Sequence, residues 1–227
     1  MKKVIALILA MMMVASLVAC GSDSNKENPN TNNNTSQTDE KPKEEVKEAT
    51  PAEIEAAIAK ALGDGYLATV EVPEEEILMT ALGRLDMEKV ESYIAKQSAV
   101  TSVNLDTVVI VKCKDGYADE AVQAFNDAFD QTISYIRQYP FGVAKVEGAR
   151  LYKINDTVIY VIAGASAGEG TSAEEEAKLA VSEYEKIDAA IKEVCGVLPE
   201  NLAVIPEDSG NNGGAFLPED DMPVVGG

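Results

Sequence analysis

The chain is 227 residues long, with 39 acidic against 19 basic side chains, no His, no Trp and three Cys, for a formal charge of −20. So negative a surface cannot neutralise phosphates, which excludes nucleic acid as a partner. Without His, neither a His-based catalytic triad nor a His-ligated zinc site can be built, and the length suits one domain with appendages.

The amino terminus carries the sharpest signal. Lys2 and Lys3 precede an apolar run over 4–19, which falls short of the ~20 residues that cross a ~30 Å hydrocarbon core. It fits the hydrophobic region of a signal peptide covering 1–19. The run ends in Leu17-Val18-Ala19-Cys20-Gly21, which resembles a lipobox. On that resemblance Cys20 takes a diacylglyceryl thioether and further acylation of the palmitate type, since stable anchoring needs more than one chain. An anionic bilayer repels so acidic a chain, so the lipid itself must hold it at the membrane. Residues 20–50 are then a lipidated Cys and a polar tether, with only Val46 and Ala49 as aliphatic side chains after Gly21. Such a tract cannot fold, and its r.m.s. span is roughly 30 Å.

Order is expected from Thr50. Thr50-Pro51-Ala52-Glu53 is a capping box with Pro at the first helical position, and Ile54, Ile58 and Leu62 recur at helical spacing up to Gly63. Pro73 and the acids Glu74, Glu75 and Glu76 predict a second helix through Leu82. A third is expected from Asp86 as N-cap, with Met87, Val90 and Ile94 on its apolar face and a Leu85–Val90 staple. The β-branched run 107–113 reads as a buried strand and Asp115-Gly116 as a turn. The longest stripe (Ala118, Val122, Phe125, Phe129, Ile133, Ile136) predicts a helix over 118–138, ended by Pro140. Runs 146–154 and 157–163 flank Asn155-Asp156, which predicts a β-hairpin. After a glycine-rich loop, Ser172-Ala173-Glu174-Glu175 opens a last helix lined by Ala177, Val181, Tyr184, Ile187, Ile191 and Val194 and stopped by Gly196. From Pro206 to Gly227 the composition is that of a disordered acidic tail.

This order predicts an α+β domain over 51–205, a small antiparallel sheet of about three strands packed against helices on one face as a two-layer sandwich. Leu85-Asp86, 90–94, Val103-Asn104-Leu105-Asp106, 108–112, Asp115-Gly116, Gly148-Ala149 and the 152–162 hairpin form a pattern. That pattern, over about 84–164, resembles the domain-of-unknown-function family numbered 4358, found in small Gram-positive bacterial lipoproteins. The resemblance brings no catalytic or binding residues with it.

Cys113 and Cys195 are either a disulfide, which an exported compartment permits, or two separate buried thiols. Neither has a His to activate it as a nucleophile. The acid clusters at 74–76, 174–176 and 219–221 are consecutive and lack the spaced ligands and Gly of a calcium loop. The first two read as helix caps. The loop Gly164-Ala165-Ser166-Ala167-Gly168-Glu169-Gly170 has the composition of a phosphate cradle without the Gly-Lys-Ser/Thr ending, and reads as a flexible linker. Phe125, Phe129, Tyr184 and Tyr93 are expected on helical core stripes. No catalytic, metal or cofactor site is expected. The functional expectation is a lipid-anchored, extracytoplasmic, non-catalytic module engaging an envelope protein. The alternatives are a small-ligand lipoprotein assisting a transporter, and a carboxylate-based cell-wall hydrolase.

Overall fold

Two runs of the chain are apolar along nearly their whole length rather than on alternate residues, which makes them strands that need cover on both faces. A computed structural model describes residues 45–101, 104–139, 142–168 and 170–207. Segment 1–19, Cys20, most of the tether, cluster 219–221 and nearly all of the acidic tail lie outside the described residues.

The helices are α1 (Pro51–Leu62), α2 (Ala118–Ile136), α3 (Val143–Glu147) and α4 (Ala173–Cys195). The strands are β1 (Val70–Glu71), β2 (Val90–Gln97), β3 (Thr107–Cys113), β4 (Arg150–Ile154) and β5 (Thr157–Ile162), and short 3-10 turns punctuate the first half. The strands form one antiparallel sheet in the order β1-β2-β3-β5-β4. The α+β class with an antiparallel sheet stands. The strand count rises from about three to five.

Both added strands lie in the first half. The third helix expected from Asp86 is a single 3-10 turn, Met87–Lys89, followed by β2. Asp86 does cap that turn, its carboxylate accepting from the Glu88 N–H at 3.1 Å. Beyond it Ile94 pairs with Ile110 and Ala95 with Val109, so β2 supplies the ladder partner that β3 needs. A bulge between Val90 and Ser92 interrupts the two-residue alternation, which is why the period looks helical from sequence. Tyr93 therefore stands half-exposed on a strand rather than on a helical core stripe. The second helix is likewise corrected to two 3-10 turns, Glu74–Met79 and Ala81–Arg84. They break at Thr80, whose hydroxyl donates to the Ile77 carbonyl at 2.8 Å and so competes with helix continuation.

The one-faced, two-layer expectation is also corrected. Val109, Val111, Val158 and Tyr160 face a core closed by α2, with Phe125, Phe129 and Ile133 at its centre. Val108, Ile110, Ile159 and Val161 face a second core closed by α1 and α4, through Ile54, Ile58, Tyr184, Ile187 and Ile191. Helices thus cover both faces, making three layers, because β3 and β5 expose apolar side chains on each.

Most of the remaining element signals hold, but the apolar face of α4 starts at Ala180 and Tyr184, since Ala177 and Val181, expected on its stripe, are exposed. Both capping boxes form, at Thr50/Glu53 and Ser172/Glu175. Asn155-Asp156 turns the β4–β5 hairpin with Asn155 at φ +52°, a left-handed position that Asn tolerates. β4 starts at Arg150 rather than 146, since residues 143–147 coil into α3.

Segments beyond the sheet are fastened to α4 and to the sheet edge. The Lys47 N–H donates to the Cys195 carbonyl at 2.8 Å, so the chain is held before Thr50. The Asn201 side chain accepts from the Leu151 N–H at 2.8 Å and donates to the Ala149 carbonyl at 2.9 Å. The Leu202 N–H then donates to Leu151 at 2.7 Å. This stretch lies along the free edge of β4 as a strap, and Asn126 on α2 clasps it through Leu202 and Val204.

Candidate functional site

The α2-side core ends in a row that is polar on two of its three strands. Gln97, Thr107 and Ile162 are neighbours across β2, β3 and β5, and alternation puts them on the same face as Val109 and Tyr160. Above this row α2 presents Ala128, Gln131, Thr132 and Tyr135, whose steps of three and four residues place them on one helical face. Thr80, Ala81 and Arg84 come from the 3-10 turns, and Thr101 and Leu105 from the β2–β3 loop. Together these enclose a cleft of about 440 Å³.

Its floor is apolar and aromatic. Tyr160 stacks on Phe125 at 5.4 Å and meets Phe129 edge-on at 6.2 Å. Burial pushes the Tyr160 phenol up, so it stays protonated, while the Thr132 hydroxyl donates to the Ala128 carbonyl at 3.0 Å. The rim is polar but nearly uncharged, Arg84 being the single charged side chain among the described lining residues. Glu76 stands just outside, accepting from the Gln97 amide at 3.3 Å.

A buried ionic node fixes one wall. Asp106, the residue before β3, is fully buried, and its carboxylate pairs with Lys145 of α3. The Lys145 ammonium also donates to Asn104 Oδ1 at 3.1 Å, Ser166 Oγ at 2.9 Å and the Gly164 carbonyl at 3.3 Å. The Gly164 N–H returns a bond to Asp106 at 3.3 Å. Burial pushes the Asp106 carboxyl up, while Lys145, the Gly164 N–H and Asn104 pull it down. Beside it Glu183 of α4 accepts from the Ala165 N–H at 3.0 Å and pairs with Lys186 at 2.5 Å. Burial raises the Glu183 carboxyl, but Lys186, Ala165 and the Lys145 charge outweigh that and hold it low. The node pins the β2–β3 loop, since the Ser98 N–H donates to the Asp106 carbonyl at 2.9 Å and the Asp106 N–H to Asn104 at 3.0 Å.

The residues singled out from sequence fall elsewhere. Cys113 and Cys195 are both free and buried, and they sit in the two different cores, so the sheet separates them. The Cys113–Cys195 disulfide weighed from sequence is therefore not formed. Burial and the nearby Asp156 charge push the Cys113 thiol up to about 11, and burial pushes Cys195 up. The cluster 174–176 is a first helical turn as expected, with Glu174 on Lys178 at 2.7 Å and Glu176 accepting from the Ala144 N–H at 3.3 Å. The loop read as a flexible linker is fastened at Gly164, Ala165 and Ser166 by Lys145 and Glu183. Among the described residues no group of three or more Cys, Asp or Glu could hold a metal ion, and no helix is long and apolar enough to cross a membrane.

Neither the cleft nor the node was named from the sequence. The available signal was on α2, where Ala128, Gln131, Thr132 and Tyr135 form an uncharged stripe while Asp119, Glu120, Asp127 and Asp130 crowd the rest of its outer surface.

The cleft lies within a stretch that has relatives. Residues 69–163 match the family described as Domain of unknown function (DUF4358). The DUF4358 match includes all five strands, α2, α3 and every described lining residue of the cleft, and it reaches further toward the amino terminus than the 84–164 resemblance. No curated protein and no solved structure matches the chain.

Proposed function

We propose that the chain is a lipoprotein held at the extracytoplasmic face of the membrane through Cys20, and that its DUF4358-like domain is a non-catalytic module that captures a small molecule. One observation carries the second half: a cleft of about 440 Å³ with an aromatic floor and a polar, nearly uncharged rim. Binding sites for small molecules have this make-up, at about 300–1,000 Å³. The anchor rests on the lipobox-like Leu17-Val18-Ala19-Cys20. Of the alternatives weighed from sequence, ligand capture now ranks first, with an envelope protein partner as the further recipient of the ligand. A carboxylate-based hydrolase is not favoured, since the described lining offers no pair of acids.

A thermal-shift screen of the full chain against a library of small polar organic molecules tests this reading. Ligands that saturate the cleft should raise Tm by several degrees, and Ala128→Phe, which fills the cleft, should remove the shift. A library without a single stabiliser, or stabilisers indifferent to Ala128→Phe, would overturn it.

A further inference from the structure

Resting on the cleft reading, we propose that the cleft selects a small organic monocarboxylate, its carboxylate on Arg84 and its apolar or aromatic body over Tyr160 and Ile162. The argument starts from the chain's three arginines. Arg137 grips Glu147 at 2.8 and 3.0 Å, and Arg150 forks onto Asp188 at 2.9 to 3.2 Å. Arg84 makes no ion pair among the described residues, although residues 51–205 carry a net charge of −14. In so acidic a domain, an arginine at a cleft mouth with no carboxylate partner among the described residues is an open two-pronged site for one from outside.

Its backbone is held in place. Arg84 ends the Ala81–Arg84 turn, and Ala81, Leu82 and Leu85 around it are buried in the α2-side core. The guanidinium is therefore presented at the rim by a fixed base rather than by a loose loop.

The same surroundings limit the ligand to one negative charge. No other cation lines the described cleft, and Glu76 at its edge repels a second anionic group. A second carboxylate would lose water without gaining a partner. A cation finds no acid in the described lining. Thr101 and Gln131 are left to bond hydroxyl or amide groups on the ligand, and the Thr80 and Thr107 hydroxyls, which donate to the Ile77 and Leu105 carbonyls, can still accept.

The test titrates the full chain by calorimetry with benzoate and isovalerate, each beside its neutral amide, and with phthalate as the dianion. Both acids should bind about tenfold or more tightly than their amides and than phthalate. Arg84→Gln should bring the acids down to the level of the amides, Arg84→Lys should recover part of the loss, and both variants should keep the parent Tm because the side chain is exposed. Acids and amides binding alike, or Arg84→Gln leaving the acids unchanged, would overturn the monocarboxylate assignment while the cleft reading stands. Binding of none of the probes, or binding untouched by Ala128→Phe, would remove both.

Discussion

At the scale of single residues, Lys145 holds the buried node together. Its ammonium stands against a fully buried carboxylate, and its partners come from two separate segments: Asn104 and Asp106 before β3, and Gly164 and Ser166 after β5. A buried pair of this kind adds little over an apolar pair of the same volume, but removing one member strands the other. Lys145→Ala should therefore cost about 3–5 kcal/mol, read as a lowered urea midpoint. Asp106 would then take up a proton rather than remain charged, since burial already pushes its carboxyl up. The double change Lys145→Met with Asp106→Leu should recover most of the loss. A single variant within about 1 kcal/mol of the parent would show that water reaches the node and that the pair is a surface one in energy.

At the scale of elements, what could be read depended on whether the deciding contacts were local. Both capping boxes, α1, α2, α4, β3 and the Asn155 turn were legible, because the donor, the acceptor and the apolar stripe all lie within a few residues of one another. β2 was not legible. Its strand character comes from β3, which lies across the β2–β3 loop, and the bulge at Val90 hides its alternation. The same holds for the node, since Asp106 and Lys145 are 39 residues apart and neither belongs to a motif. The cleft needed four distant segments to converge, so only its α2 stripe left a trace in the sequence. The strap is likewise non-local and makes its own prediction. Asn201→Ala leaves the Leu151 N–H without its acceptor and the Ala149 carbonyl without its donor, at a cost of about 1–3 kcal/mol. Hydrogen exchange should show the Leu151 amide exchanging much faster while the α4 amides stay protected. Unchanged exchange at Leu151 would mean that Leu202 alone holds that edge.

At the scale of the whole molecule, charge and tether work together under the proposed anchoring. The domain is too acidic to sit on an anionic bilayer by itself, so attachment rests entirely on Cys20. Cys20→Ala should move the protein from the detergent-extracted membrane fraction into the soluble fraction without changing the Tm of its domain. Retention in the membrane fraction would defeat the anchoring proposal. The three-layer build also separates two boundaries that are easily taken for one. The stretch that matches the family ends at residue 163 and begins at 69, yet the face bearing Val108, Ile110, Ile159 and Val161 is roofed by α1 and α4, which lie outside it on either side. What relatives share is thus shorter than what must melt as one body. Cut out at those borders, the shared piece would carry a bare hydrophobic wall into water and behave as a fragment rather than a protein.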